Sequence, residues 1–512
     1  MARTDKIAKN AEFAILSQAF LILTNFVVRR VFVMTLGEEY LGLNGLFADI
    51  LSMLSLAELG FGTAIVYSLY KPLAKGDKEK IKALMSLYGK AYRLVGCFVL
   101  TAGLSLTPFL SFFVKEMPDG IPHIEWIYAL NVLNSGASYF FIYKASLLFA
   151  DQKKYIEMLI NVVVKTLAAI LQVAVLLITG NYFIYLGIMI ASTFGQNFLV
   201  SAQVDRMYPY LKEKKTAALP QEDKTVIRKN VGAMVFHKLG YVAVFSTDSI
   251  LMAKFVSVAV VGLYSNYMLI RKALINVIDL FFVSLAASMG NLNACETDEK
   301  KYEAYSHIYF LSAWLFGFMS VCLYYLFNPF ITLWLGEDYL LPSGTVGIIV
   351  LNFYMYCMRM PVNNTKEAMG LFWNDRYKPL VEVAVNLGAS ILLAQWFGID
   401  GVLWGTLLST LTVPFLVEPY VLYKHGLHRR IRNYYLKYIQ YFAITLIAAA
   451  FTGAACRFTS GNWQGFLLKM LFCTVIPNLT YLAAYGRSED FSYVWATAVR
   501  LLKGRKRGGN IV

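Results

Sequence analysis

The sequence predicts an all-α polytopic membrane protein of about fourteen transmembrane helices. They fall into two bundles of about six helices in parallel repeat, followed by a C-terminal helix pair. Three observations carry this. Hydrophobic residues make up 58% of the chain and charged residues only 15%, and the mean hydropathy is +0.54. That balance excludes an ordinary soluble enzyme. The apolar runs reach ~20 residues, enough to cross ~30 Å of hydrocarbon, and they are continuous rather than alternating, which favours helices over barrel strands. Finally, the first half of the pattern is written again at a shift of about 220 residues.

The repeat is read from ordered matches. Lys9-Asn10-Ala11 corresponds to Lys229-Asn230-Val231, and Leu41-Gly42-Leu43 to Val261-Gly262-Leu263. Pro108-Phe109-Leu110 corresponds to Pro329-Phe330-Ile331. After a small indel, Glu157 and Asn161 match Glu382 and Asn386, while Gly187 with Ser192-Thr193 matches Gly405 with Ser409-Thr410. Short strings recur by chance; their common order and spacing are the signal. An even number of spans per copy gives both copies one orientation, so the pseudo-symmetry axis is expected along the membrane normal, with the bundles facing each other across a cleft.

Taken in order, apolar windows cover 12–34, 41–67, 82–109, 122–149, 156–178 and 183–204. A charged stretch follows. The next windows cover 231–254, 258–288, 304–333, 342–369, 380–397 and 401–423, and the last two cover 438–456 and 466–485. The expected organisation is an N-terminal bundle over 1–205, a cytoplasmic linker over 206–230 and a C-terminal bundle over 231–425. An extra helix pair occupies 426–487, and a basic cytoplasmic tail 488–512. The segment 491–502 is amphipathic and suits a membrane surface.

The net charge of +15 invites a nucleic-acid reading, which fails on location. Lys and Arg cluster in alternate loops and at both ends, whereas the opposite loops carry Glu38, Glu39, Glu116, Asp119, Glu337, Asp338 and Asp400. This positive-inside pattern places both termini in the cytoplasm of a multi-pass membrane protein. The basic tail suits contact with anionic lipid. The opposite loops are too short for a folded catalytic domain.

Charged and polar residues at membrane depth are costly and normally face a cavity or a partner. Gln18, Asn25 and Arg29 share one helical stripe, with Arg30 beside it. Lys272, Asn276 and Asp279 share another, with Arg271 adjacent, and Asn352, Tyr356 and Arg359 share a third. Arg29 with Arg30, and Arg271 with Lys272, are deep cationic pairs from opposite copies of the repeat. They are the expected substrate-binding cations of a positive cavity, with Gln18, Asn25, Asn276 and Arg359 as its polar lining. A guanidinium presents planar paired donors that suit phosphate. The alternative is that each cation pairs with an intramembrane acid such as Asp49, Glu58, Asp248 or Asp279 and only fixes helix packing. Of these acids, Glu58, Asp248 and Asp279 are the candidates for carrying a coupling proton or Na+. No Walker-type phosphate loop, zinc-spaced Cys/His set or Gly-x-Ser-x-Gly elbow occurs. No catalytic residue, metal or cofactor is therefore expected, and the chain is expected not to be an enzyme.

Three blocks bear a family resemblance: Leu41-Gly42-Leu43-Asn44-Gly45-Leu46-Phe47, then 55–65 (Ser-Leu-Ala-Glu-Leu-Gly-Phe-Gly-Thr-Ala-Ile), then Tyr67 to Asp77. They resemble bacterial oligosaccharide flippases, the Wzx-like polysaccharide-biosynthesis branch of the superfamily that also holds MATE exporters and the lipid II flippase MurJ. The resemblance implies translocation of undecaprenyl-diphosphate-linked sugar units across the bacterial cytoplasmic membrane by alternating access. It implies supply to capsule, O-antigen or a related glycan, alongside a polysaccharide polymerase and glycosyltransferases, with a central cationic cavity and coupling to H+ or Na+. The family's cavity arginine would fall on Arg29 or Arg30. Rival readings are a MATE-type ion-coupled exporter, a lipid II flippase, and a membrane glycosyltransferase or polymerase. The last should carry large outer loops.

Overall fold

The computed structural model describes residues 3–55, 61–118, 120–213, 219–221, 225, 246–371 and 374–507. All regular elements among them are helical. Ten of the helices are long and apolar enough to cross a membrane, which makes this a multi-pass membrane protein. The expected spans 41–67 and 231–254 lie in part outside the described residues, and Glu58 lies outside them altogether.

Two compact units divide after Ser265. The first opens with α1 (Arg3–Leu36) and α2 (Glu38–Leu54). Gly37 turns the chain between them at φ 86, a left-handed conformation that only glycine adopts without strain. Next come α3 (Phe61–Lys75), α4 (Lys78–Ser105), α5 (Ile124–Ile142), the short α6 (Ala145–Ala150), α7 (Lys154–Thr179) and α8 (Tyr182–Met207). Asp77 caps α4 by accepting from the Lys80 amide at 3.0 Å. Asn181 caps α8, accepting from the Phe183 amide at 2.8 Å; each such cap satisfies a backbone donor left over at a helix start. One core joins α3, α4, α5, α6 and α8 through Leu69, Leu84, Tyr88, Tyr92, Tyr139, Leu148 and Val204. The expected span 122–149 breaks after Ile142, and Lys144 in the break bonds Asp205 at 2.7 Å.

Charged and aromatic groups close one end of this unit. Lys82 is buried and bonds Glu79 and Glu213, each at 3.0 Å. Asp151 bonds Lys153 at 2.6 Å and accepts from the Tyr208 hydroxyl. Burial and Asp151 hold the Tyr208 phenol well above its usual range, so it stays a donor.

A long helix, α9 (Val258–Cys295), straddles the division. Its first turns belong to the first unit for a packing reason. A Cβ on Gly42 would stand 1.9 Å from the Val258 carbonyl oxygen, and one on Gly262 would stand 2.1 Å from the Glu38 carbonyl oxygen. Each glycine therefore lets the first residue of the other helix lie against it, a small-residue crossing typical of membrane helices. Nearby, the Lys115 amide donates to the Ala253 carbonyl at 2.9 Å.

The second unit continues with α10 (Asp298–Trp334), α11 (Ser343–Ala368), α12 (Lys378–Thr412), α13 (Pro414–Val421), α14 (Arg432–Cys456), α15 (Trp463–Tyr485) and α16 (Glu489–Arg507). At 37 residues, α10 is about 55 Å long and outruns the hydrocarbon layer; its first turn, Asp298 to Lys301, is charged. Within α12 the chain folds back at Gly398, where φ is 56 and ψ −128. The two arms, 378–397 and 399–412, form a hairpin. The Asn386 amide donates to the Thr406 hydroxyl at 3.1 Å, and the Ser390 hydroxyl to the Val402 carbonyl at 3.2 Å. The pair α14–α15, which lies beyond the repeat, is joined to α10 through rings. Tyr309 meets Tyr434 and Tyr441, and Trp314 stacks on Tyr481. Gly317 on α10 admits Tyr481 and Thr445 at closest approach.

Candidate functional site

Arg29 lies on the α1 stripe, half-buried. Its Nη1 donates to the Ser265 hydroxyl at 3.0 Å. Ser265 in turn donates to the Gly262 carbonyl at 2.8 Å. The arginine therefore rests on a neutral acceptor whose own proton is directed into the helix backbone. The glycine crossing brings Ser265 within reach: without the close approach at Gly42 and Gly262, α9 would stand further from α1. Aromatic rings fix the surroundings. Phe32, one turn after Arg29, packs edge-on against Tyr182 at 6.0 Å and Tyr185 at 5.1 Å. Tyr182 also meets Tyr40 at 4.9 Å and donates to the Asn44 side-chain oxygen. These contacts hold α1, α2 and α8 in one register.

The neighbours of Arg29 on the stripe differ in setting. Arg30 and Asn25 are exposed, whereas Gln18 is half-buried. The expectation left Arg29 and Arg30 as equals; the structure separates them, and Arg29 is the one held by its surroundings. Asp248, expected as a coupling acid, is buried within this unit and engaged.

The second unit handles its cations differently. The Arg271 guanidinium stands 5.5 Å from the centre of the Tyr356 ring, a cation–π contact, with Nη1 3.7 Å from the Met268 sulfur. Lys272 and Asp279 are exposed and Asn276 is half-buried.

Arg359 departs from its expected role as a cavity residue. Its Nε and Nη2 donate to the two oxygens of Glu418 at 3.0 and 2.7 Å, a bidentate pair, and Nη1 donates to Glu382 at 3.3 Å. Lys378 also donates to Glu418, which is fully buried. Two turns further along α11, Lys366 pairs with the buried Asp375. Three cations and three carboxylates thus neutralise one another, and this cluster ties α11, α12 and α13 together. The reason is ordinary: a buried charge without a partner is prohibitive, so acids contributed by other helices meet it.

Sequence reasoning missed three partners. Ser265 gave no signal, because serine is common in membrane helices. Glu418 did give one, as a lone acid in the apolar run Pro414-Phe415-Leu416-Val417. Glu382 entered only as a marker of the repeat and not as a counter-ion.

The fold is shared with known membrane transporters. A MurJ lipid II flippase in an inward closed conformation superposes with a TM-score of 0.66 at 15% identity, covering 93% of this chain and 99% of that one. An inward-facing multidrug-resistance MATE transporter gives 0.62 at 13% identity, covering 79% and 94%. A Vibrio cholerae MATE transporter gives 0.54 at 15% identity, covering 83% and 99%. No family model matches the chain, and no curated protein matches it. The class defined is a polytopic all-α membrane protein with the fold common to MATE transporters and the MurJ flippase.

Proposed function

We propose that this protein is a flippase for lipid-linked oligosaccharides. It carries undecaprenyl-diphosphate-bound sugar units from the cytoplasmic to the outer leaflet of a bacterial cell membrane by alternating access, for assembly of a surface polysaccharide. The observation that carries the reading is Arg29: a half-buried guanidinium in a membrane helix whose bond goes to a neutral hydroxyl. Such a cation keeps its charge for an anionic guest, and its paired donors suit a diphosphate. Arg30, Arg271 and Lys272 add positive charge on the same expected faces. The lipid tail stays in the bilayer while the headgroup crosses. Coupling to H+ or Na+ falls to Asp248, Asp279 or Glu58. A polymerase and glycosyltransferases would act after and before this step. A cation-exporting MATE chemistry favours acidic sites, and the positive residues here support the anionic substrate instead.

The test is reconstitution of the full chain in proteoliposomes with an undecaprenyl-diphosphate oligosaccharide bearing a fluorescent sugar. Arg29→Ala is expected to lower the flipping rate at least about tenfold, the loss of one charge-assisted bond. Arg29→Lys should recover part of it. Unchanged flipping by Arg29→Ala, or uptake of cationic dyes in place of the glycan, would overturn the reading.

A further inference from the structure

The last helix is not used by this function, and it is built with care. The chain leaves α15 at Tyr485, turns through 486–488 with the Ser488 amide on the Tyr485 carbonyl at 2.8 Å, and starts α16 at Glu489. The Ser488 hydroxyl accepts from the Phe491 amide at 3.2 Å and caps the new helix. Because α15 is apolar and long enough to span, α16 begins where a span ends, at the membrane–water boundary.

Two devices fix its first turns. Asp490 bonds His307 Nδ1 on α10 at 2.8 Å and Lys437 on α14 at 3.4 Å. Tyr493 stacks on the His307 ring at 3.9 Å. Beside this clamp runs a ladder of four stacked rings. Tyr481 lies on Trp314 at 5.8 Å, Trp314 on Phe491 at 5.6 Å, and Phe491 on Trp495 at 6.1 Å. The ladder starts at a fully buried ring and ends at Trp495, which is 62% exposed. A tryptophan at the end of an ordered stack, on an apolar helix face, is not a stray surface residue. Phe491, Val494, Trp495 and Ala498 share that face by helical spacing.

Charge on α16 is one-sided along its length. Glu489 and Asp490 occupy the first turn, and from Phe491 to Arg507 the residues include Arg500, Lys503, Arg505, Lys506 and Arg507 with no acid. An apolar face bearing tryptophan, next to a run of cations, matches the surface of a bilayer that contains anionic phospholipid.

We propose that α16 is an interfacial helix that docks on anionic phospholipid headgroups, with Trp495 at headgroup level. The ring ladder and the Asp490 clamp then join that docked surface to α10. The inference stands apart from the flippase reading, since it concerns lipid composition at the rim and not the translocated substrate.

The experiment places the full chain in nanodiscs of phosphatidylcholine alone and of phosphatidylcholine with phosphatidylglycerol. Amide hydrogen exchange across α16 is expected to slow about tenfold or more in the anionic discs, given ~1 kcal/mol per cation near such a surface. Replacing Arg500, Lys503, Arg505, Lys506 and Arg507 with Gln should erase that difference while α10 and α15 keep their protection. The fluorescence difference between the wild type and Trp495→Phe should be quenched by brominated acyl chains. Equal exchange in the two disc types would overturn the proposal. So would a Trp495 signal quenched by aqueous iodide and untouched by bromolipid, or protection that appears only when another protein co-purifies.

Discussion

The hairpin α7–α8 in the first unit and the two arms of α12 in the second occupy matching places in the repeat, yet they are finished differently. In α12, Asn386 is fully buried and bonded across the hairpin, and Gly405 sits so close to Ser390 that a Cβ would meet its Oγ at 2.2 Å. In the first unit, Asn161 is half-buried and Gly187 has nothing within 4 Å of where a Cβ would be. The arginines follow the same division. Arg359 is clamped by two carboxylates, while Arg29 rests on one hydroxyl. Duplication supplied two copies of one plan. At these positions the second copy is packed and its arginine neutralised, while the first keeps room and a cation held by a neutral hydroxyl; elsewhere Lys82 and Lys144 of the first unit are paired with acids and Lys272 of the second is exposed. A binding function belongs where polar groups are left available, because a cation already matched by acids has little to offer a guest.

The sharpest way to break this contrast is at Glu418. Glu418→Ala leaves Arg359 and Lys378 buried beside a missing carboxylate. The expected cost is about 3–5 kcal/mol, the range for breaking a buried pair from one side. Thermal unfolding of the detergent-solubilised protein should show a large drop in Tm, with much of the chain lost as aggregate on gel filtration. A Tm within error of the wild type would mean that the cluster is solvated and does not organise the unit.

The next effect concerns the reciprocal crossing. Gly42→Ala and Gly262→Ala each place a methyl group inside a carbonyl oxygen's radius, so each should cost about 3 kcal/mol, the upper part of the overpacking range. Both act on one contact, and the double variant should cost clearly less than the two added, because the first methyl already separates the helices. Additive losses in that double-mutant cycle would show two independent sites. The paired comparison within the hairpins is milder. Gly405→Ala should cost about 2 kcal/mol by overpacking against Ser390. Gly187→Ala, facing open space, should stay within about 0.5 kcal/mol of the wild type. Equal shifts in Tm for the two would erase the distinction between the copies.

Much of this was legible in the chain, and the rest was not, for definable reasons. The end of one span at 397 and the start of the next at 401 were read from hydropathy, and the structure turns at Gly398 between them. The expected span 342–369 agrees with α11 (Ser343–Ala368) because a long apolar window with polar flanks leaves little freedom. The appended pair 438–456 and 466–485 appears as α14 and α15, each starting a few residues earlier, where Arg432 and Trp463 continue the helix into the interface. Counter-ion choice was not legible. Whether Arg359 meets Glu418, Glu382 or a substrate depends on how α11, α12 and α13 pack, and one-dimensional spacing carries no such information. The same holds for Arg29 and Arg30. Adjacent residues on a helix point about 100° apart, and only the position of Ser265 on α9 distinguishes them.

Among the charged residues, the smallest effect on stability is expected at Arg29, and that is what makes it informative. Arg29→Met removes one bond to Ser265, whose own proton already goes to the Gly262 carbonyl. Ser265 is therefore not left as an orphan donor, and the methionine chain retains much of the apolar stem. The loss should be about 1.5 kcal/mol, the low end for a hydrogen bond made by a charged group because the buried charge goes with it, and Tm should fall only slightly. Arg359→Met, by contrast, strips Glu418 of its bidentate partner and should cost as much as the Glu418 substitution. Measuring both variants under one condition, for Tm and for flipping of the lipid-linked glycan, separates structure from binding. Arg29→Met should leave a well-folded protein that transports poorly. If it unfolds like Arg359→Met, Arg29 is a packing residue and the two units do not divide the labour as their hairpins indicate.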